Sequence, residues 1–261
     1  CVLVFFGEIL SGQSKVWHVM PPAGYMRQET DEFGAYLRNL PLKPIGTPVR
    51  YYDGKVKGWQ GGAYAVVDNP EVAKQDERIL LVDDVLTSLQ DLAAHHRRVW
   101  GKTVLQITGT NGKTTTKELI SAVLSEGMNV LFTEGNLNNH IGVPLTLLRI
   151  RPEHDIAVIE TGANHPGEIT LLSNIVQADF GLITNVGRAH LEGFGSFEGV
   201  MKTKGELYDF IRQNPKGFIF LHQDNPHLQQ MASGMKQITY GSEDNLFVQG
   251  NISANTTFLS F

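Results

Sequence analysis

The sequence predicts an α/β protein whose larger part is a doubly wound parallel sheet, preceded by a smaller, partial α/β domain. Three observations predict it. From residue 101 onward short apolar runs alternate with helical segments, the order that builds βαβ units. Most of those runs are continuously apolar, as strands covered on both faces require. A glycine-rich turn, GTNGKTT at 109–115, joins the first of them to a helix.

Each element follows from its own pattern. CVLVFF at 1–6 reads as a buried strand; it has no basic region before it and no small-residue cleavage site after it, so it is a poor signal peptide. From there to about residue 60, Gly, Pro and aromatic residues are scattered without a helical period. That punctuation fits short strands and turns, or poor order. GGAYAVVD at 61–68 and ILLV at 79–82 read as strands, and residues 85–100 as a helix with Val85, Leu89, Leu92 and Ala93 on one face. The larger part then runs strand TVLQIT (103–108), helix KTTTKELISAVLSE (113–126), and strands NVLFT (129–133) and DIAVIET (155–161). Helix PGEITLLSNIV (166–176), strand FGLITNV (180–186), helix FEGVMKTKGELYDFIRQ (197–213) and strand GFIFL (217–221) complete it. Such a series predicts right-handed crossovers in one parallel sheet.

The 261 residues allow one or two domains. With 22 basic against 27 acidic residues and a net charge of −5, no global field favours nucleic acid, so an anionic ligand needs local positive features. Cys1 is the only cysteine, which excludes an intramolecular disulfide and fits a reducing, cytoplasmic compartment. No apolar run approaches the roughly 18 residues of a membrane helix. The start at Cys1 and the stop at Phe261, inside the strand-like run TTFLSF, read as the ends of a fragment.

GTNGKTT has the strand–loop–helix context of a phosphate loop. Gly109 and Gly112 let the backbone turn so that successive N–H groups, including those of Thr110 and Asn111, face phosphate oxygens. The helix N-terminus adds partial positive charge. Lys113 can reach the β- and γ-phosphates, and Thr114, followed by Thr115, offers a hydroxyl to Mg²⁺. Only two residues separate the glycines, against four in the usual motif.

Further candidates sit at strand ends, where ligands of open α/β sheets gather. Glu160 closes DIAVIE and can face the same crevice as Thr114, as a carboxylate for a phosphate-bridging Mg²⁺. His190 lies just past FGLITNV, a position more often held by a structural or exposed histidine than by a ligand. Lys204, flanked by Lys202 and Glu206, is a surface lysine by periodicity alone. Asn136, Asn138 and Asn139 can hydrogen-bond a ligand or cap a helix. Asn164, His165 and Glu168 form a polar loop whose Pro166 and Gly167 shape a helix start.

GTNGKTTTKE, EGNLNNHIGVPLTLL, ETGANHPGEI, NVGRAHLEGFGS and KTKGELY stand in the order and approximate spacing of the Mur ligases, which the chain resembles over residues 61–230. The resemblance implies a central ATP-binding domain at 101–261, incomplete at its C-terminal end. Residues 1–100 would be a partial or divergent UDP-substrate domain, and the C-terminal ligase domain would be absent. The implied activity is ATP-driven amide-bond formation in peptidoglycan synthesis. D-alanyl-D-alanine would join UDP-N-acetylmuramoyl-tripeptide through an acyl phosphate, with ATP and two Mg²⁺ ions, in a monomer. Lys113 and Thr114 would hold the triphosphate and one Mg²⁺, Glu160 would ligate that ion and His190 the second. Lys204 would match the lysine that these enzymes carbamylate with CO₂, and Asn136, Asn139, Asn164 and His165 would face substrate. Two differences stand out: residues 1–60 do not look like the start of the family's uridine-nucleotide domain, and His222 stands where Asn is frequent near the adenine. The rivals are a folylpolyglutamate-synthase-like ligase and a nucleotide-binding module without turnover.

Overall fold

The computed structural model describes residues 2–8, 14–19, 50–52, 55–57, 63–74, 79–187, 194–250, 254–255 and 259–260. Contacts divide the chain into two units, Cys1–Trp100 with Leu147–Pro152, and Gly101–Thr146 with Glu153–Phe261.

In the first unit, β1 (Val2–Glu8) pairs antiparallel with β2 (Ser14–Val19) and parallel with β5 (Ala63–Val67), which pairs parallel with β6 (Ile79–Leu81). β3 (Arg50–Tyr52) and β4 (Lys55–Lys57) form a separate antiparallel pair. After the short helix α1 (Pro70–Ala73) comes α2 (Val85–Trp100). It buries Val85, Leu89, Leu92 and Ala93, the apolar face its spacing predicts.

The second unit is built on seven parallel strands in the order β13-β12-β11-β10-β7-β9-β8. In chain order these are β7 (Thr103–Thr108), β8 (Val130–Phe132), β9 (Ile156–Glu160), β10 (Phe180–Ile183), β11 (Phe218–His222), β12 (Gln237–Gly241) and β13 (Val248–Gln249). The helices between them are α3 (Lys113–Ser125), α4 (Gly142–Leu147), α5 (Glu168–Val176), α6 (Phe197–Arg212) and α7 (Pro226–Met231). A last antiparallel pair joins β14 (Ala254–Asn255) to β15 (Leu259–Ser260). This is the doubly wound parallel sheet that the alternating runs predict. The short α4 and α7, and strands β12, β13 and β14, are additions to the sequence reading.

The core explains the strand pattern. Leu105, Ile107, Val158 and Leu182 from the three central strands form one buried cluster, with Ile120 and Leu124 of α3 packed against it. Gln106, alone polar in mid-strand, is fully buried and donates to the hydroxyls of Thr161 at 3.1 Å and Ser173 at 3.0 Å. Those bonds offset the desolvation of the amide nitrogen, while its Oε1 is buried without a partner.

Strand order positions the site. From β7 the chain first builds β8 and β9 on one side, then crosses to β10 on the other. The carboxyl ends of β7, β9 and β10 therefore flank a topological switch point, where an α/β sheet opens a crevice. No helix among the described residues is long and apolar enough to cross a membrane.

Candidate functional site

The loop after β7 is shaped by two glycines. Gly109 has φ 142° and Gly112 φ 74°, conformations that side chains rarely adopt. At Gly109 there is also no room: a Cβ would run into the Thr184 hydroxyl. Gly112 is the N-cap of α3 and brings no side-chain cap. The first-turn N–H groups, which have no intrahelical acceptor, are thus left for a ligand.

A second loop holds the first in place. After β10, the Asn185 carbonyl accepts from Thr110 N at 3.0 Å and its side-chain oxygen from Asn111 N at 3.1 Å. The Thr184 hydroxyl donates to the Asn111 carbonyl at 2.7 Å, and the Thr110 hydroxyl accepts from Gly187 N at 3.0 Å. Sequence reasoning passed over Thr184 and Asn185 as the tail of a strand. The signal was their place at the end of β10, next to β7 once the switch point is drawn.

Lys113 folds back over the loop, its ammonium donating to the Gly109 and Thr110 carbonyls, both at 3.0 Å. Burial lowers its pKa, and the nearby Glu160 carboxylate works against that. The Thr114 hydroxyl donates to Glu160 Oε1 at 3.3 Å, which also accepts from Asn138 Nδ2 at 2.7 Å. Glu160 Oε2 is buried and has no protein partner. Such an orphaned carboxylate oxygen is costly unless something fills it. A hard cation suits it, so this donor set fits Mg²⁺. Thr115 is exposed on the first turn of α3.

A cleft of about 420 Å³ opens beside the loop, within the size range of small-molecule sites. It brings together Gly109, Thr110, Lys113, Asn136, Asn139, Asn164 and Lys204. Asn139 lines the cleft, and its side chain accepts from Gly142 N at 2.9 Å, capping α4. His165 is not brought in; it is exposed and lies 3.4 Å from Glu168. His190 lies outside the described residues. Glu168, of the polar loop, also lines the cleft, as does Phe194, which the sequence did not single out.

Lys204 corrects the surface reading, being only 3% exposed. Helix α6 packs this face against α5 and the loop before it, so Lys204 Nζ donates to the Ala163 carbonyl at 3.3 Å and sits 5.4 Å over the Phe194 ring. Burial, helped by the charge of Lys113, brings its pKa down to about 8, while Glu168 and Glu206 pull it upward.

A glycine-rich strand-to-helix loop beside an unpartnered buried carboxylate at a topological switch point defines the class: an α/β domain whose crevice suits a phosphate-bearing ligand. Comparison with known proteins narrows this. The family model described as Mur ligase middle domain matches residues 107–261, and the chain belongs to that family. A second model, a domain of unknown function (4846), matches residues 17–87.

Among curated relatives, UDP-N-acetylmuramoyl-tripeptide–D-alanyl-D-alanine ligase of Escherichia coli (strain K12) is 47% identical over 146 residues, 56% of this chain and 32% of that protein. The protein of the same name from Bacillus subtilis (strain 168) is 40% identical over 188 residues, 71% of this chain and 40% of the relative. The structure of MurF from Acinetobacter baumannii superposes with a TM-score of 0.63 at 38% identity, over 70% of this chain and 40% of that one. MurF ligase from Thermotoga maritima in complex with ADP gives 0.64 at 34% identity, over 70% and 42%. The chain thus spans about a third to two fifths of the length of these relatives.

Proposed function

We propose that residues 101–261 bind Mg·ATP for an amide-bond ligase of peptidoglycan synthesis. That ligase adds D-alanyl-D-alanine to UDP-N-acetylmuramoyl-tripeptide. The observation that carries the reading is Glu160, whose free, buried oxygen lies beside Thr114 and the loop of Lys113. The names of the relatives supply the substrates.

The chemistry divides among the chain's own groups. First-turn N–H groups of α3 take phosphate oxygens, and Lys113 exchanges its two loop carbonyls for the β- and γ-phosphates. Thr114 and Glu160 would hold Mg²⁺, which neutralises charge on the transferring phosphoryl group. Among the described residues no three His, Cys, Asp or Glu side chains cluster as a metal site; His190, which the resemblance implies as a ligand of a second ion, lies outside them. The γ-phosphoryl group passes to the carboxylate ending the tripeptide, releasing ADP. The dipeptide amine then attacks that acyl phosphate and phosphate leaves. Asn136, Asn139 and Asn164 face the cleft where the reacting carboxylate must lie, and holding it there is their part in the rate.

Lys204 fits the family's carbamate chemistry. CO₂ adds to a neutral amine, with loss of one proton, and a lysine titrating near 8 supplies that form. The resulting anion would replace a cation that repels both Lys113 and a metal.

ADP release with Mg·ATP, UDP-N-acetylmuramoyl-tripeptide and D-alanyl-D-alanine, omitting each in turn, tests the reading. Release that needs all three is expected. Nucleotide binding without such release would withdraw the ligase activity from this chain.

A further inference from the structure

Helix α3 turns Ile120 and Leu124 to the core, but part of that face breaks hydrophobic patterning. It buries Lys117 and Ser121 while Leu119 and Val123 are 64% and 73% exposed. A fully buried ammonium opposes folding through desolvation, and an apolar side chain of similar volume commonly stabilises more. The ammonium donates to Glu118 Oε1 at 2.6 Å and to the Thr133 carbonyl at 2.6 Å. Its carboxylate partner is 54% exposed, so that ion pair is largely solvent-screened. The Thr133 carbonyl belongs to a fully buried residue and is the contact with consequences.

Thr133 follows β8. Its N–H donates to the Val158 carbonyl at 3.1 Å, and its hydroxyl accepts from the backbone N–H of Glu160 at 2.9 Å. Downstream of it hangs Asn138, which holds Glu160 Oε1. Two of the contacts that aim the Glu160 carboxylate, one at its backbone and one at its side chain, therefore run through the segment that Lys117 pins. Lys117 lies one turn along α3 from Lys113 and Thr114, so the same helix carries the phosphate loop and the pin.

We infer that Lys117 is a positioning residue for Glu160, locking the strand end through the Thr133 carbonyl so that the free carboxylate oxygen meets the nucleotide-bound divalent ion. The inference rests on the Mg·ATP reading above. Lys117 itself touches neither ligand. Partners that orient a metal ligand commonly carry about 10- to 100-fold of metal affinity.

The test is binding of a fluorescent ATP analogue to the full chain, titrated with and without Mg²⁺, alongside thermal unfolding of each variant. In Lys117→Met the Mg²⁺-dependent gain in affinity is expected to fall by about tenfold or more, with Mg²⁺-free binding unchanged. Thr133→Val, nearly isosteric, keeps the lysine contact but removes the acceptor for Glu160 N, and should lose the same gain. Glu118→Gln, which cuts only the exposed ion pair, should keep it. A folded Lys117→Met or Thr133→Val protein with the full Mg²⁺ gain overturns the inference, as does equal loss with and without the ion. Absence of any Mg²⁺ gain in the unaltered chain would instead refute the Mg·ATP reading.

Discussion

With a pKa of about 8 in place of 10.5, Lys204 presents roughly a tenth of its amine uncharged at pH 7. An unperturbed lysine presents about 0.03% there, so the reactive form is enriched roughly 300-fold. The expected consequence is carbamylation at neutral pH. Under ¹³C-enriched CO₂ held at fixed concentration, a carbamate resonance should be visible at pH 7, grow as pH rises through 8, and vanish in Lys204→Ala. The sign of the perturbations is fixed as well. The Lys113 charge lowers the Lys204 pKa, so Lys113→Met should raise it and reduce labelling at pH 7. Labelling that emerges only toward pH 10, or that survives in Lys204→Ala, would refute the reasoning.

Two further substitutions probe the frame. Gly109→Ala meets both an unfavourable φ and the Thr184 hydroxyl; it should cost about 1–3 kcal/mol in denaturant unfolding and weaken nucleotide binding, whereas Gly112→Ala, with open space around it, should cost less. Glu206 accepts from Gly167 N and Thr170 N, both at 2.8 Å, at the start of α5. Glu206→Ala should therefore lose about 1 kcal/mol of stability, the usual value of a helix cap, and Glu206→Gln less.

What the sequence revealed was local. TVLQIT became β7 residue for residue because apolar continuity and a following Gly-rich turn both point to a central strand. The α2 face was legible because Val85, Leu89, Leu92 and Ala93 all bury on one side. QITYG went unread: it is β12, near the sheet edge, where burial is incomplete and no apolar run marks it. GVPLTL was too short to show a helical period, and Asn139 supplies its cap from outside. The phosphate loop was visible as a contiguous motif. The buttress of Thr184 and Asn185 was not, because it joins residues more than seventy positions apart. Burial of Lys204 has the same cause: α6 packs it beneath the Ala163 carbonyl, and no spacing on α6 announces that. Only the family resemblance marked it out.

The central claim is that the Lys113 loop binds Mg·ATP. Calorimetric titration of the full chain with Mg·ATP, beside Lys113→Ala and with the metal chelated, tests it most directly. The account predicts one site per chain, lost in Lys113→Ala and weakened without Mg²⁺. Equal affinity in all three, or no binding to the unaltered chain, would contradict it.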